Sequence, residues 1–305
     1  MALLAATQGT PERVWSLLQI LDAHGGEMAR QDLIDWLNPK FVQAGYTAKD
    51  EKSAVDQTIQ AALGLSLIDT SQRQFVRLLA NEPGGSFAEF SDIIHARLLE
   101  LDGQDADSVV LEAFAWLVVE CEIQRSTLWI SEWGADQFAD RADDVLSKNR
   151  AQTEDRRFNK TKRSAWRRWI EFLGLSVTLP TNVEYPSVTE RLAGELAKQI
   201  QPGQEVRADD FLNVVGARMP YLDRGRLFQE ACQRCSVQTP TRSVSRVLSS
   251  ALRDLADDGQ VRLVVYGDAR DGLQLSEDRL SRWRSFNAVV VEPSRAPVET
   301  EVANV

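Results

Sequence analysis

Apolar residues recur at helical spacing along most of the 305-residue chain. Val14, Leu17, Leu18 and Leu21 fall at i, i+3, i+4 and i+7, one stripe of a helix. Thr10 can cap that helix, Pro11 can start it, and Gly25-Gly26 ends it. A second helix is expected from about Arg30 to Leu37, stopped by Pro39. A third begins near Ala48, with Val55, Ile59, Ala62 and Leu63 on its inner face and Gly64 at its end. Leu65–Asp69 and Phe75–Leu79 then read as short strands around a polar turn from Thr70 to Gln74.

The pattern resumes after the linker signal Glu82-Pro-Gly-Gly-Ser86. Phe87 to Leu101 is amphipathic, and Val109 to Ile123 (VVLEAFAWLVVECEI) reads as a buried central helix. Its glutamates and its length argue against a membrane span. Another helix is expected from about Glu132 to Leu146. Trp166, Trp169, Ile170 and Leu173 form a further stripe, with Ser164, Arg167, Arg168 and Glu171 pointing away from it. Gly174 stops that helix, and Leu175–Leu179 reads as a strand opening a short wing that runs to Tyr185, broken by Pro180.

Beyond Tyr185 a helix is expected from about Val188 to Ile200, a turn at Pro202-Gly203, a helix from Ala208 to Ala217 and a further turn or two from Leu227 to Cys235. Thr241 to Asp257 reads as one long helix with Val244, Val247, Leu248, Ala251, Leu252 and Leu255 inside. Val261–Tyr266 and Gly272–Leu275 are expected to form a hairpin turned at Asp271-Gly272. A short helix (Glu277 to Arg284) and an apolar strand (Ala288 to Val291) follow, then an acidic, Pro-containing tail expected to be disordered.

Helices followed by a strand pair, three times over, resemble winged-helix units. The helix–Gly–strand junctions at Ala61-Ala-Leu-Gly-Leu, Glu171-Phe-Leu-Gly-Leu and Leu255-Ala-Asp-Asp-Gly-Gln-Val carry that resemblance, and Leu-Gly-Leu-Ser occurs at both Leu63–Ser66 and Leu173–Ser176. The expected fold class is mainly α with short β-hairpin wings, as three winged-helix-like units in tandem. Their expected limits are 1–82, 83–185 and 186–291, with 292–305 as the tail.

Charge changes this picture at two places. The chain as a whole has a net charge of −10 and a pI near 4.9, which disfavours general attraction to nucleic acid. The window from Arg150 to Leu175 opposes that balance. Its eight basic residues (Arg150, Arg156, Arg157, Lys160, Lys162, Arg163, Arg167, Arg168) face only Glu154, Asp155 and Glu171. Such a density suits a phosphate backbone. It also suits an acidic protein partner, or the acidic remainder of this chain. On the long third-unit helix, Arg242, Arg246, Ser249 and Arg253 fall at i, i+4, i+7 and i+11, a row expected on the surface opposite the core stripe. Thr241, Ser243, Ser245 and Ser250 flank it, and small hydroxyls beside arginines are what a helix entering a major groove needs. The plainer reading is a solvated face. The exposed face of the first unit's third helix offers Asp56, Gln57 and Gln60, which is not a phosphate-binding set.

Other chemistry is sparse. The three cysteines suit a reducing cytosol. Cys232-Gln-Arg-Cys235 alone lacks the four ligands of a zinc site and reads as two helix thiols. His95, beside Ile94, reads as structural. Asp140, Asp143 and Asp144, and Asp254, Asp257 and Asp258, read as solvated helix faces. Glu195 and Lys198 have the wrong spacing for a restriction-type nuclease centre. The sequence contains no phosphate loop, nucleophile elbow or HExxH motif, so neither catalysis, a cofactor nor a metal is expected. No apolar run reaches membrane-spanning length, and the N-terminus lacks a signal-peptide pattern.

The chain length, the opening Met1-Ala-Leu-Leu and Gly9-Thr-Pro-Glu-Arg-Val14, and the Trp166-Arg-Arg-Trp169 region resemble the G component of the bacterial dpd cluster. That cluster inserts 7-deazapurines into DNA and restricts unmodified DNA. The resemblance implies a bacterial, cytoplasmic accessory protein of a DNA modification or anti-phage defence system, without catalytic residues to carry over. The expected partners are double-stranded DNA and other proteins of the same system, with no membrane, and homo-oligomerisation is left open. The alternative is a winged-helix adaptor that binds protein and scaffolds a nucleic-acid-processing complex.

Overall fold

A computed structural model describes residues 3–38, 51–79, 85–146, 156–180, 183–267 and 272–293. The expected features at Pro39, Ala48, residues 82–84, Asp271 and the tail beyond Pro293 lie outside these. By contact the chain divides into two compact units. The first comprises Met1–Leu117 with Thr127–Pro186, the second Val118–Ser126 with Ser187–Val305.

The first unit opens with α1 (Pro11–Ala23), β1 (Glu27–Ala29), α2 (Arg30–Leu37), α3 (Glu51–Gly64), β2 (Ile68–Asp69) and β3 (Phe75–Leu78). Val14, Leu17, Leu18 and Leu21 are fully buried, as the stripe requires. Thr10 sits at the N-cap in extended backbone but makes no side-chain cap hydrogen bond. Gly25 and Gly26 both have positive φ, the turn out of α1 that glycine alone enters cheaply. The strands form an antiparallel sheet in the order β1-β3-β2. β1 was not expected from sequence. At three residues, Glu-Met-Ala is too short for a period-2 signal.

The first unit continues with α4 (Phe87–Glu100), α5 (Val109–Ile123), α6 (Trp129–Glu132), α7 (Ala135–Val145), α8 (Lys160–Phe172) and the pair β4 (Ser176–Thr178) and β5 (Glu184–Pro186). α5 contributes to this unit as far as Leu117. One helix was expected from Glu132 to Leu146; instead Trp133 and Gly134, in extended backbone, separate α6 from α7. Ser86 caps α4 by accepting from the Glu89 N–H at 3.2 Å, and Asn159 caps α8 by accepting from the Lys162 N–H at 2.9 Å. Trp166, Trp169, Ile170 and Leu173 are buried. Trp166 lies 5.8 Å from the Phe138 ring and 5.6 Å from Phe158, and its indole N–H donates to the Val110 carbonyl at 2.9 Å. Gly174 has φ +70° and ends the helix as expected.

The second unit holds α9 (Thr189–Gln199), β6 (Glu205–Arg207), α10 (Ala208–Arg218), α11 (Arg226–Arg234), α12 (Arg246–Asp257), β7 (Val261–Val264), β8 (Leu273–Gln274), β9 (Ser285–Phe286) and β10 (Ala288–Val291). β10 is buried along its whole length and lies between β6 and β7. Three expectations are corrected here. α12 begins at Arg246 rather than Thr241, because Ser245 takes the N-cap. The strand at Val261 pairs with β10, not with the residues after Gly272; β8 pairs with β9 instead. Glu277–Arg284 is not a helix but irregular chain between β8 and β9.

Candidate nucleic-acid interface

The basic window of α8 turns largely inward. Arg157 grips Glu112 of α5 with both ends of its fork: Nη1 to Oε2 at 3.0 Å and Nη2 to Oε1 at 3.2 Å. Its Nη2 also donates to the Ser108 hydroxyl at 2.8 Å. The two side chains are 10 % and 3 % exposed, so this pair is a structural strut and not a free cation. Arg163 lies 4.5 Å from the centre of the Phe138 ring, with Nη2 donating to the Ile130 carbonyl at 3.4 Å. It also lies 3.6 Å from Glu184 of β5, and Arg167 Nε approaches the same carboxylate at 2.8 Å. The latter is close in distance but not aligned as a hydrogen bond. Burial pushes the Glu184 pKa up against the pull of Arg167 and then Arg163, and burial lowers that of Arg163.

The outer members of the window are also engaged. Arg156 pairs with Asp140 at 2.6 Å and Asp143 at 3.4 Å, and the Asp140 hydrogen bond raises its pKa. Asp143 also accepts the Phe158 N–H at 2.9 Å, which fixes the approach to α8. Lys160 meets Asp136 at 3.3 Å with both side chains well exposed. Lys162 Nζ caps the carbonyls of Arg156 and Arg157 at 2.7 and 3.1 Å. Arg168 is exposed and makes no ion pair among the described residues. The aspartates read as a solvated face are thus, at Asp140 and Asp143, the counter-charges of this window.

The arginine row of the second unit is not on the surface as expected. Arg242 precedes α12 and is exposed, its carbonyl accepting the Gln274 N–H at 2.9 Å. Arg246 is half-buried, and its backbone N–H donates to Glu122 at 2.5 Å. Ser249 is fully buried and Arg253 is 5 % exposed. The reason is the chain between β8 and β9, which lies across this face of α12. Ser249 Oγ accepts the Ser276 N–H at 2.9 Å, and Arg253 Nη2 donates to the carbonyls of Ser276 (2.5 Å) and Trp283 (3.3 Å). Helical spacing placed Ser249 and Arg253 on one face, both meeting Ser276, but Arg242 lies before the helix. The spacing carried no information about a segment folding over that face from thirty residues away.

Sequence reasoning missed Asp223. It is buried, accepts the Ser245 N–H at 2.7 Å and the Ser245 hydroxyl at 2.5 Å, and so anchors the start of α12. Burial raises its pKa to about 6. A lone Asp after Tyr221-Leu222 gives no periodic signal, so nothing local marks it. The remaining candidates are quiet. Cys232 is buried with its thiol pushed up to about 11 by burial, which leaves it unreactive at neutral pH. Cys235 is half-buried and forms no disulfide. His95 is buried. Glu195 meets Arg218 at 3.1 Å and Lys198 at 3.2 Å. Among the described residues no group of three His, Cys, Asp or Glu side chains could hold a metal ion, and no helix is long and apolar enough to cross a membrane.

The protein is thus a mostly helical chain with small antiparallel sheets, whose basic residues are mainly paired within their own unit. A sequence profile described as DpdG-like matches residues 1–269, so the chain belongs to the DpdG-like family. That membership associates it with the dpd modification system. No curated protein and no solved structure matches it.

Proposed function

We propose that this chain is a non-catalytic accessory protein of a dpd DNA modification and defence system, and that it binds duplex DNA through units of winged-helix topology. The observation carrying this is a repeated connectivity. In the first unit the order is α1-β1-α2-α3-β2-β3, and the strand after the first helix pairs with the last strand of the set. In the second unit α9-β6-α10-α12-β7-β10 repeats it, with β6 paired to β10 and α11 and the β8–β9 pair inserted. α4, α5, α7, α8, β4 and β5 form a middle set with the two-stranded wing but not the first strand. α8 then stands where a winged helix places its recognition helix, and presents Lys160, Ser164 and Arg168 outward.

A second reading has its own support. The acids that neutralise Arg156, Arg157, Arg163 and Arg167 come from the same unit, which suits a winged-helix adaptor docking onto proteins of the same system. Fluorescence anisotropy on a labelled 25-base-pair duplex over a salt series separates the two. Binding at low salt that weakens in proportion to log salt is expected if DNA is the ligand. No binding at about 50 mM salt would leave the adaptor as the function.

A further inference from the structure

We propose that the segment from Glu277 to Arg284 of the second unit is a duplex-DNA contact, in which Arg279, Arg282 and Arg284 meet phosphates and Leu280 enters the minor groove. This rests on the DNA-binding reading above and moves the contact from α12 to the chain lying over it. The segment is C-terminal to the residues matched by the family profile.

The first ground is what it exposes. Arg279 is exposed and has no hydrogen bond or ion pair among the described residues. Arg282 is 73 % exposed, 3.5 Å from Asp257, with its guanidinium over the Trp283 ring at 4.8 Å. Arg284 is exposed and donates to the Asp278 carbonyl. Leu280 stands among these cations at 97 % exposure, which contributes nothing to folding. Arginines beside a lone apolar wedge are the set that minor-groove proteins use, the cations along the backbone and the wedge at a base step.

The second ground is how firmly the segment is held. β8 and β9 close its base, with Leu273 opposite Phe286 and Gln274 opposite Ser285. The Leu275 N–H donates to the Arg284 carbonyl at 2.9 Å. Within it, the Leu280 N–H donates to Asp278 at 2.9 Å and the Trp283 N–H to the Ser281 hydroxyl at 3.1 Å. Beneath it, Arg253 and Ser249 clamp Ser276 and Trp283. Burying the Arg253 guanidinium is costly, yet what it secures is a surface turn with no core of its own. A turn fixed in advance loses little entropy on binding. The acids nearby are largely engaged: Asp278 in the turn, Asp257 with Arg282 and the Trp283 indole N–H at 3.4 Å, and Asp254 with Thr189 at 3.0 Å. Glu277 stays exposed and limits the affinity.

The test uses the full chain, a 25-base-pair duplex and a salt series, with wild type, Arg279→Ala/Arg282→Ala and Leu280→Ala. The double variant is expected to bind roughly tenfold more weakly, with a salt slope shallower by about 1.8. Leu280→Ala is expected to lose about threefold in affinity at unchanged slope, since an apolar contact releases no counterions. Thermal melting should be unchanged in both, because these side chains are in solvent. A wild type that binds while the double variant keeps its affinity and slope overturns this inference alone. A wild type that does not bind duplex overturns it together with the DNA-binding reading. A double variant that keeps duplex binding but loses polyglutamate binding assigns the segment to an acidic protein and overturns the proposal.

Discussion

Arg157 and Asp223 are each one side chain whose role depends on partners that are distant in sequence. Arg157 looked like a surface cation because its neighbours are basic and polar. Its partner Glu112 lies 45 residues earlier, in an apolar helix whose sequence showed that glutamate only as an interruption. Removing one member of such a pair leaves the other buried and uncompensated. Arg157→Ala is therefore expected to destabilise the protein by about 3–5 kcal/mol in urea unfolding, with Arg157→Met/Glu112→Met recovering most of it. A loss below about 1 kcal/mol would show the pair to be solvated. The sign differs at Asp223. Its folded pKa, about 6, is raised by burial above an unfolded value of about 3.9. The folded protein therefore holds that proton more tightly. The stabilisation is complete below pH about 4 and is lost as pH rises through about 6. Asp223→Asn keeps an acceptor for the Ser245 N–H and cannot titrate, so it should gain on wild type between pH 4.5 and 7 when urea midpoints are compared. A gap constant with pH would mean that Asp223 stays ionised throughout.

Elements were legible where packing is local to one helix. The stripe of α8 is the best case: Trp166, Trp169, Ile170 and Leu173 are all buried, Gly174 takes positive φ, and β4 follows. Trp169→Ala should cost about 3–5 kcal/mol, as a large-to-small change in a filled core. A mutant with a wild-type melting temperature would place that face in solvent. Legibility failed at some strands of two or three residues and where remote chain decides the structure. β1, β6 and β9 are too short to show alternation and were not expected, while β8 was expected as a strand but pairs with β9 and not with β7. The span from Glu277 to Arg284 has helical composition, but its Trp283 carbonyl accepts from Arg253 of α12. Its Leu280 and Trp283 N–H groups go to the side chains of Asp278 and Ser281 and not to i−4 carbonyls. Arg253→Ala should accordingly leave α12 intact and loosen this span. Hydrogen exchange is expected to speed up at Leu280 and Trp283 while Leu252 and Leu255 stay protected. Equal acceleration along α12 would instead show that Arg253 supports the helix itself.

For the whole molecule, the contest is between a net charge of −10 and the few cations left free to oppose it. Sequence alone named ten basic side chains for nucleic acid: Arg156, Arg157, Lys160, Lys162, Arg163, Arg167, Arg168, Arg242, Arg246 and Arg253. One phosphate each would give a salt slope of about −9. The structure withdraws most of them. Arg157, Arg163 and Arg253 are largely buried, Arg156 and Arg167 face carboxylates, Lys162 caps carbonyls and Arg246 is half-buried. Of the cations named for DNA contact, those left exposed are Lys160 and Arg168 of the first unit with Arg242, Arg279, Arg282 and Arg284 of the second. Six contacts give a slope no steeper than about −5.4. Opening the internal pairs to reach more phosphates would expose buried carboxylates such as Glu112 and Glu184 beside DNA, which works against binding. The expected result for the full chain is thus a slope between about −2 and −5.4, with Arg168→Ala making it shallower by about 0.9 and Arg157→Ala acting on stability instead. A slope near −9 would mean that the ion pairs of α8 rearrange on DNA, and the window would regain the role its composition suggests. A slope near zero with no detectable complex would leave the acidic surface as the functional one. The partner to seek would then be a basic protein of the same system.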